Sequence, residues 1–298
     1  MRALVTGAKG FVGSWLTAHL ESQGDLVVGI DHEVDVTDPE AVRVALTEAA
    51  PDAVYHLAAL AHVGQSWSGP AEAFEVNAIG TLHVLEAARA QARPPRVLVV
   101  SSAEVYGAVP PDRLPVGEDV PLAPVTPYAA SKVAAEYLGV QAFLAHGLPV
   151  VRVRPFNHVG PGQSPGFVVP ALAQRIVEAR RSGTPSIKVG NLAARRDLTD
   201  VRDVVRAYRL LVEHGEAGAV YNVCSGRDVG IDEVAEHLLR LAGADLRLEV
   251  DPALARPVDV PVIRGDPAKL EAATGWTPVV DLETSLRGVL EEWGNRLP

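Results

Sequence analysis

Gly7-Ala8-Lys9-Gly10-Phe11-Val12-Gly13 follows the apolar run Ala3 to Val5 almost at once, and a helical pattern from Phe11 to Gln23 follows it. Strand, glycine turn and helix in that order constrain the chain to begin as a β-α-β unit. Glycines let the backbone turn tightly and approach a bound group closely. The helix start adds free N–H groups and a partial positive charge. The turn can therefore cradle the pyrophosphate of a dinucleotide, with Gly7, Gly10, Phe11, Val12 and Gly13 as the candidate contacts.

The alternation continues. Leu26 to Ile30, Ala53 to Leu57 and Val97 to Val100 read as buried parallel strands. Pro39 to Ala49 and Pro70 to Ala92 read as helices, each with a proline where helix starts accept one. Gly107 to Pro127 reads as a long loop, Tyr128 to His146 as a helix and Pro149 to Arg154 as a strand. After Pro155 the texture changes, and Gly160-Pro161-Gly162-Gln163-Ser164-Pro165-Gly166 must be a loop. These patterns predict an α/β fold: a doubly wound parallel sheet, the Rossmann arrangement, with a smaller mixed α/β C-terminal substrate lobe. The dinucleotide domain is expected over 1–155 with part of 190–225, and the substrate lobe mainly over 156–298.

Composition narrows the function. The formal charge of -10 over 298 residues argues against general nucleic-acid binding. Cys224 is the only cysteine, so no internal disulfide is expected, and it reads as a buried hydrophobe. No apolar run approaches the ~20 residues that span a bilayer. The strand beginning at Arg2 leaves no room for a signal peptide, so a cytoplasmic location with no membrane partner is expected. No metal site is expected.

Asp31 ends the second strand, where a carboxylate can accept from ribose hydroxyls and repel a 2′-phosphate. The next residues are His32, Glu33, Val34 and Asp35, with no Arg or Lys among them. That favours NAD(H), with NADP(H) as the alternative. Asp35 and Val36 can flank the adenine. Tyr128 and Lys132 stand four apart, on one face of a helix. A free phenol, with pKa near ~10, is a poor acid-base group at neutral pH. A neighbouring ammonium and an oxidised nicotinamide favour its ionised form. Ser102, at the end of the fourth strand, can hydrogen-bond the same substrate oxygen.

Together these motifs resemble the extended short-chain dehydrogenase/reductase family that modifies nucleotide-diphosphate sugars. The resemblance runs from the glycine turn through His56-Leu57-Ala58-Ala59, Asn77, Ser102, Tyr128 and Lys132 to Gly275-Trp276-Thr277-Pro278. It implies that Leu57, Ala58, Ala59 and Pro155 lie beside the cofactor and that Asn77 is often structural. Three further segments resemble the family's substrate half. They are Arg154-Pro155-Phe156-Asn157-His158, Gly190-Asn191-Leu192 with Arg195-Arg196-Asp197, and Arg256-Pro257-Val258-Asp259. The resemblance implies substrate contacts at Asn157, Val169, Arg196 and Arg256, the arginines clamping phosphate through their planar forks.

The wording of these segments is similar to members acting on GDP-mannose derivatives, which implies a GDP-sugar substrate. The implied reaction is NAD(P)H-dependent reduction of a C4 ketone on a GDP-6-deoxyhexose. A 4,6-dehydratase or a 4-epimerase with tightly held cofactor is the alternative. Glu104 could serve a dehydratase as its C5 base. Ala103, where dehydratases carry a polar residue, favours the reductase. A homodimer built on helices around Pro70 to Ala92 and Tyr128 to His146 is also implied.

Overall fold

A computed structural model of the chain describes residues 1–254 and 260–296. Its strands are β1 (Arg2–Thr6), β2 (Leu26–Ile30), β3 (Ala53–His56), β4 (Arg96–Val100), β5 (Val150–Pro155), β6 (Asn157–Val159), β7 (Ser186–Val189), β8 (Arg195–Asp200), β9 (Val220–Val223), β10 (Asp228–Gly230), β11 (Arg247–Val250) and β12 (Val262–Ile263). Six of them form one parallel sheet in the order β2-β1-β3-β4-β5-β9. Helices cover both faces, which is why β3 is buried along its whole length and reads as an unbroken apolar run. The winding reverses direction at β1. Ligands in such sheets bind at the crevice outside the strand ends at that reversal.

Local chemistry sets the helix ends. Asp38 caps the helix Pro39–Ala49 by accepting from Glu40 and Ala41 N–H. Thr126 Oγ1 accepts from Ala129 N–H at 3.0 Å and starts the helix Pro127–His146, which Gly147 stops in the left-handed region at φ 68°. The start is fixed, so Tyr128 is held in the first turn.

The segment expected as one helix from Pro70 is interrupted. It runs as Pro70–Phe74, a π-turn over Glu75–Ile79, and a helix Gly80–Arg89. The cause is local. Asn77 Oδ1 accepts from Leu60 N–H at 2.8 Å, and its Nδ2 donates to Leu60 O and to Ser131 Oγ. Gly80 lies so close to Val36 that an added Cβ would stand 2.8 Å from Val36 Cγ2. Widening one turn lets both contacts form.

In the C-terminal half, β8 is the hub: β6 and β12 pair with it in parallel and β10 antiparallel. Val169, Leu172, Ile176, Leu238, Leu286 and Trp293 belong to its core. Residues 201–223 return to the main sheet: the helix Val201–His214 packs on the helix Phe11–Ser22, and β9 joins β5. Trp276 is fully buried in that core, with Nε1 donating to Asp203 O at 2.9 Å. No helix among the described residues is long and apolar enough to cross a membrane.

Between β1 and β3 the polar groups are fully assigned. Thr6 Oγ1 accepts from Leu57 and Ala58 N–H, so its proton goes to His56 Nδ1. His56 must then carry its own proton on Nε2, which donates to Thr81 Oγ1, and Thr81 donates to Asn77 O. Burial pulls the His56 pKa down to about 3.

Two outcomes follow for stability. Trp276→Ala should cost about 3–5 kcal/mol in chemical denaturation, the usual cost of emptying a buried aromatic site. His56 is neutral when folded, whereas unfolded it takes a proton near pH ~6.5. Between those two pKa values the unfolded state binds the extra proton. Stability is therefore full above about pH 6.5 and falls below it by up to about 1.4 kcal/mol per pH unit from this group. Against wild type, His56→Gln should show a shallower loss between about pH 6.5 and about pH 4, read from urea midpoints.

Candidate active site

The glycine turn has the form its sequence suggests. Gly7 has φ 68°, and a Cβ on it would lie 3.0 Å from Ala58 N. A Cβ on Gly13 would fall 2.0 Å from Gly7 O, so only glycine lets the helix close onto the turn. Gly10 is the N-cap of the helix Phe11–Ser22, with no side-chain cap and no acid in the first turn. The first-turn N–H groups therefore have no side-chain competitor for an anion. This cradle fits a dinucleotide pyrophosphate.

At the end of β2, Asp31 accepts from Lys9 N–H at 2.7 Å and His32 N–H at 3.0 Å. Lys9 extends from the glycine turn to an exposed ion pair with Glu33 at 2.9 Å. This lysine comes from the preceding turn and not from the residues that follow Asp31 in sequence. Asp35 accepts from Thr37 N–H and Oγ1–H, and Val36 is buried against Gly80.

A pocket of about 320 Å³ opens beyond β3, β4 and β5. Val12, Leu57, Ala59, Ser102, Glu104, Tyr128, Lys132, Pro155 and Asn157 all line it. The helix start and the 3₁₀ turn Ala103–Tyr106 set the catalytic group: Ser102 caps that turn, its Oγ accepting from Glu104 N–H at 3.2 Å. Lys132 Nζ donates to Val100 O at 2.9 Å, which anchors the ammonium at the end of β4. Burial pushes the Tyr128 phenol up to about 12; Ser102 works against this and the Glu104 charge adds to it. Burial alone brings Lys132 down to about 8. The phenol is thus held protonated, and Lys132 does not lower its pKa as the four-residue spacing suggests, because burial outweighs the other influences; a hydroxyl stands beside it and the lysine one helical turn away.

Behind the pocket, Glu136 continues the stripe of Tyr128 and Lys132. It is fully buried and binds Arg154 at 2.6 Å and Arg152 at 3.2 Å. Arg154 also donates to Tyr106 OH at 2.8 Å, at the end of the turn that carries Ser102 and Glu104. Ser131 Oγ donates to Tyr128 O, and Asn77 donates to Ser131. Asn77 thus braces the catalytic helix from below.

The substrate residues fare differently. Asn157 faces the pocket. Val169 is buried in the C-terminal core, away from the pocket lining. Arg196 is 8% exposed and donates to Arg195 O and Val260 O, also off the lining. Arg256 lies outside the described residues.

Sequence reasoning passed over several lining residues: His62, His158, Gln163, Phe167 and Tyr208. His158 stacks on Phe11 with ring centroids 5.9 Å apart, and its Nδ1 meets Phe156 O. The Phe156-Asn157-His158 motif drew attention to this place but not to the second of its polar residues. A larger cleft of about 580 Å³, between β8 and residues 277–282, holds none of the motif residues of the catalytic group.

Comparison with known proteins agrees with this geometry. Residues 3–224 match the model of the NAD dependent epimerase/dehydratase family. The chain is 39% identical to a GDP-6-deoxy-D-mannose reductase of Pseudomonas aeruginosa, covering 99% of this chain and 98% of the relative. It superposes on the structure of RMD from Pseudomonas aeruginosa complexed with NADPH with a TM-score of 0.93 and 38% identity, each chain covered over 100%. It also resembles a Thermus thermophilus UDP-glucose 4-epimerase in complex with NAD, at TM-score 0.88 and 34% identity, covering 98% of this chain and 99% of that one. Cradle, catalytic group and full-length likeness agree, and the chain belongs to the NAD dependent epimerase/dehydratase family.

Proposed function

We propose that this protein uses NADH or NADPH to reduce the C4 ketone of GDP-4-keto-6-deoxy-D-mannose, forming GDP-D-rhamnose. The observation that carries the reading is the placing of Tyr128: it lines one pocket with Ser102 and with Lys132, whose Nζ is anchored on Val100 O at the end of β4. Ketone reduction needs an acid at the carbonyl oxygen, and this phenol is one. When bound, the dinucleotide supplies the hydride. Tyr128 gives its proton to the developing alkoxide, Ser102 donates a hydrogen bond to the same oxygen, and the Lys132 charge stabilises the phenolate left behind. Asn157 orients the sugar nucleotide, and Arg196 and Arg256 act on its phosphates. The likeness to the Pseudomonas aeruginosa reductase supports the substrate.

One observation favours a second reading. Glu104 lines the same pocket and its charge acts on Tyr128. A 4,6-dehydratase would use such a carboxylate as the C5 base, and an epimerase would also complete a redox-neutral cycle. Either would hold its dinucleotide through turnover, whereas a reductase must release it.

The cofactor reading keeps NAD(H) as the favoured dinucleotide and NADP(H) as the alternative. Asp31 supports NAD(H), and the placement of Lys9 supports tolerance of NADP(H). We further propose a cytoplasmic homodimer. Phe74, Ile79, Tyr137 and Leu144 are exposed hydrophobics in the segments expected to pair, and a second copy would cover them.

The test is a spectrophotometric assay with GDP-4-keto-6-deoxy-D-mannose and NADH, then NADPH, with the product identified. Consumption of reduced cofactor with GDP-rhamnose formation is expected. No consumption, with conversion of GDP-mannose or a UDP-hexose instead, would overturn the reading. Tyr128→Phe should keep both ligand affinities and lose about a hundredfold to ten-thousandfold in kcat.

A further inference from the structure

One polar group on the pocket wall takes no part in the chemistry above. His62 lies at the joint between the two halves of the molecule, and its ring occupies a slot with a glycine on each side. On one side is Gly64: a Cβ there would stand 3.1 Å from His62 Cε1. On the other is Gly166, from the opposite lobe: a Cβ there would stand 2.8 Å from both His62 Cδ2 and Nε2. The Phe167 ring completes the slot, with centroids 6.0 Å apart at 57°. Glycine at both positions leaves the imidazole the room that a side chain there would take.

Its protonation pattern is equally defined. His62 caps the short helix Val63–Ser66, its Nδ1 accepting from Gln65 N–H at 3.2 Å. An imidazole whose Nδ1 accepts carries its proton on Nε2, so the far edge of the ring is a donor. The short helix is itself in register with the catalytic group, because Ser66 Oγ accepts from Tyr128 N–H at 3.2 Å. Ala59, Ala61, Val63, Phe167 and Ile263 line the same pocket, together with the polar residues described above. A few directed polar groups set among apolar side chains are how binding sites fix the orientation of an uncharged polar group. A diphosphate calls instead for forked cations or a helix start.

We infer that His62 is a specificity-determining residue, donating Nε2–H to a ring hydroxyl of the sugar as the lobes meet over it. This rests on the reading of the pocket as a sugar-nucleotide site. The two glycines are then part of the same device, since a methyl on Gly166 would push the donor aside.

The test is calorimetric binding of GDP-mannose and of GDP to wild type, His62→Asn and Gly166→Ala. Asparagine keeps the helix cap and removes the distal donor. Both variants should bind GDP as wild type does and lose about fivefold to tenfold in affinity for GDP-mannose, the worth of one hydrogen bond. Equal weakening of both ligands would assign His62 a merely structural role and overturn the inference. So would unchanged GDP-mannose affinity in His62→Asn, or a wild type that binds GDP-mannose no better than GDP. The reductase reading fails separately, through a wild type that consumes no reduced cofactor while this difference in binding persists.

Discussion

A relay of buried hydrogen bonds joins the dinucleotide cradle to the catalytic helix. It starts at Thr6, on the last residue of β1, and passes through His56, Thr81, Asn77 and Ser131 to the carbonyl of Tyr128. Each hydroxyl in it donates once, and the histidine is neutral with a defined tautomer. Such a network is costly when half satisfied and specific when complete. It sets where the strand ends, where the loop after β3 lies and how the helix carrying Tyr128 and Lys132 sits above both. The active site is thus held from beneath by groups that never touch a ligand.

A second constraint acts from the far side of the same helix. Glu136 has no exposure and holds Arg154 and Arg152 from the neighbouring strand. A buried ion pair contributes little net stability, because desolvation offsets attraction. Its effect is geometric: Arg154 also grips Tyr106, and so the turn bearing Ser102 and Glu104 moves with the helix rather than against it. The phenol and its neighbouring hydroxyl are positioned by one rigid assembly. The carboxylate of Glu104 remains close enough to oppose ionisation of the phenol.

Much of this is visible in the amino-acid order, because it depends on neighbours in sequence. The glycine turn, the proline-started helices and the four-residue spacing of Tyr128 and Lys132 are local features that survive any packing. What escaped depends on distant segments meeting. Lys9 reaches the end of β2 only because Ala8 N–H bonds Ile30 O and lays the turn beside that strand. His62 has no distinguishing neighbours in sequence; its slot exists only when Gly166 arrives from the other lobe. Arg196 is a further case. Its motif context suggests a phosphate contact, and the fold adds what the motif does not show, that its Nη1 also donates to the carbonyls of Arg195 and Val260. The two arginines of that strand alternate in direction, and periodicity alone does not say which neighbour each will find.

The π-turn at Glu75–Ile79 carries a consequence for how this site can change over time. The turn holds one residue more than regular helix geometry needs, and that surplus lets Asn77 reach Leu60 and Ser131 at once. Loss of a single codon there would give a straighter helix with better internal bonding. It would also rotate one flank against the other by about 100°, the step of one helical residue. Asn77 could not then serve the relay and the helix face beyond it could not stay against Val36. The more regular chain would be the poorer enzyme, so drift toward an ideal helix is closed to this lineage unless the loop after β3 is rebuilt in the same step.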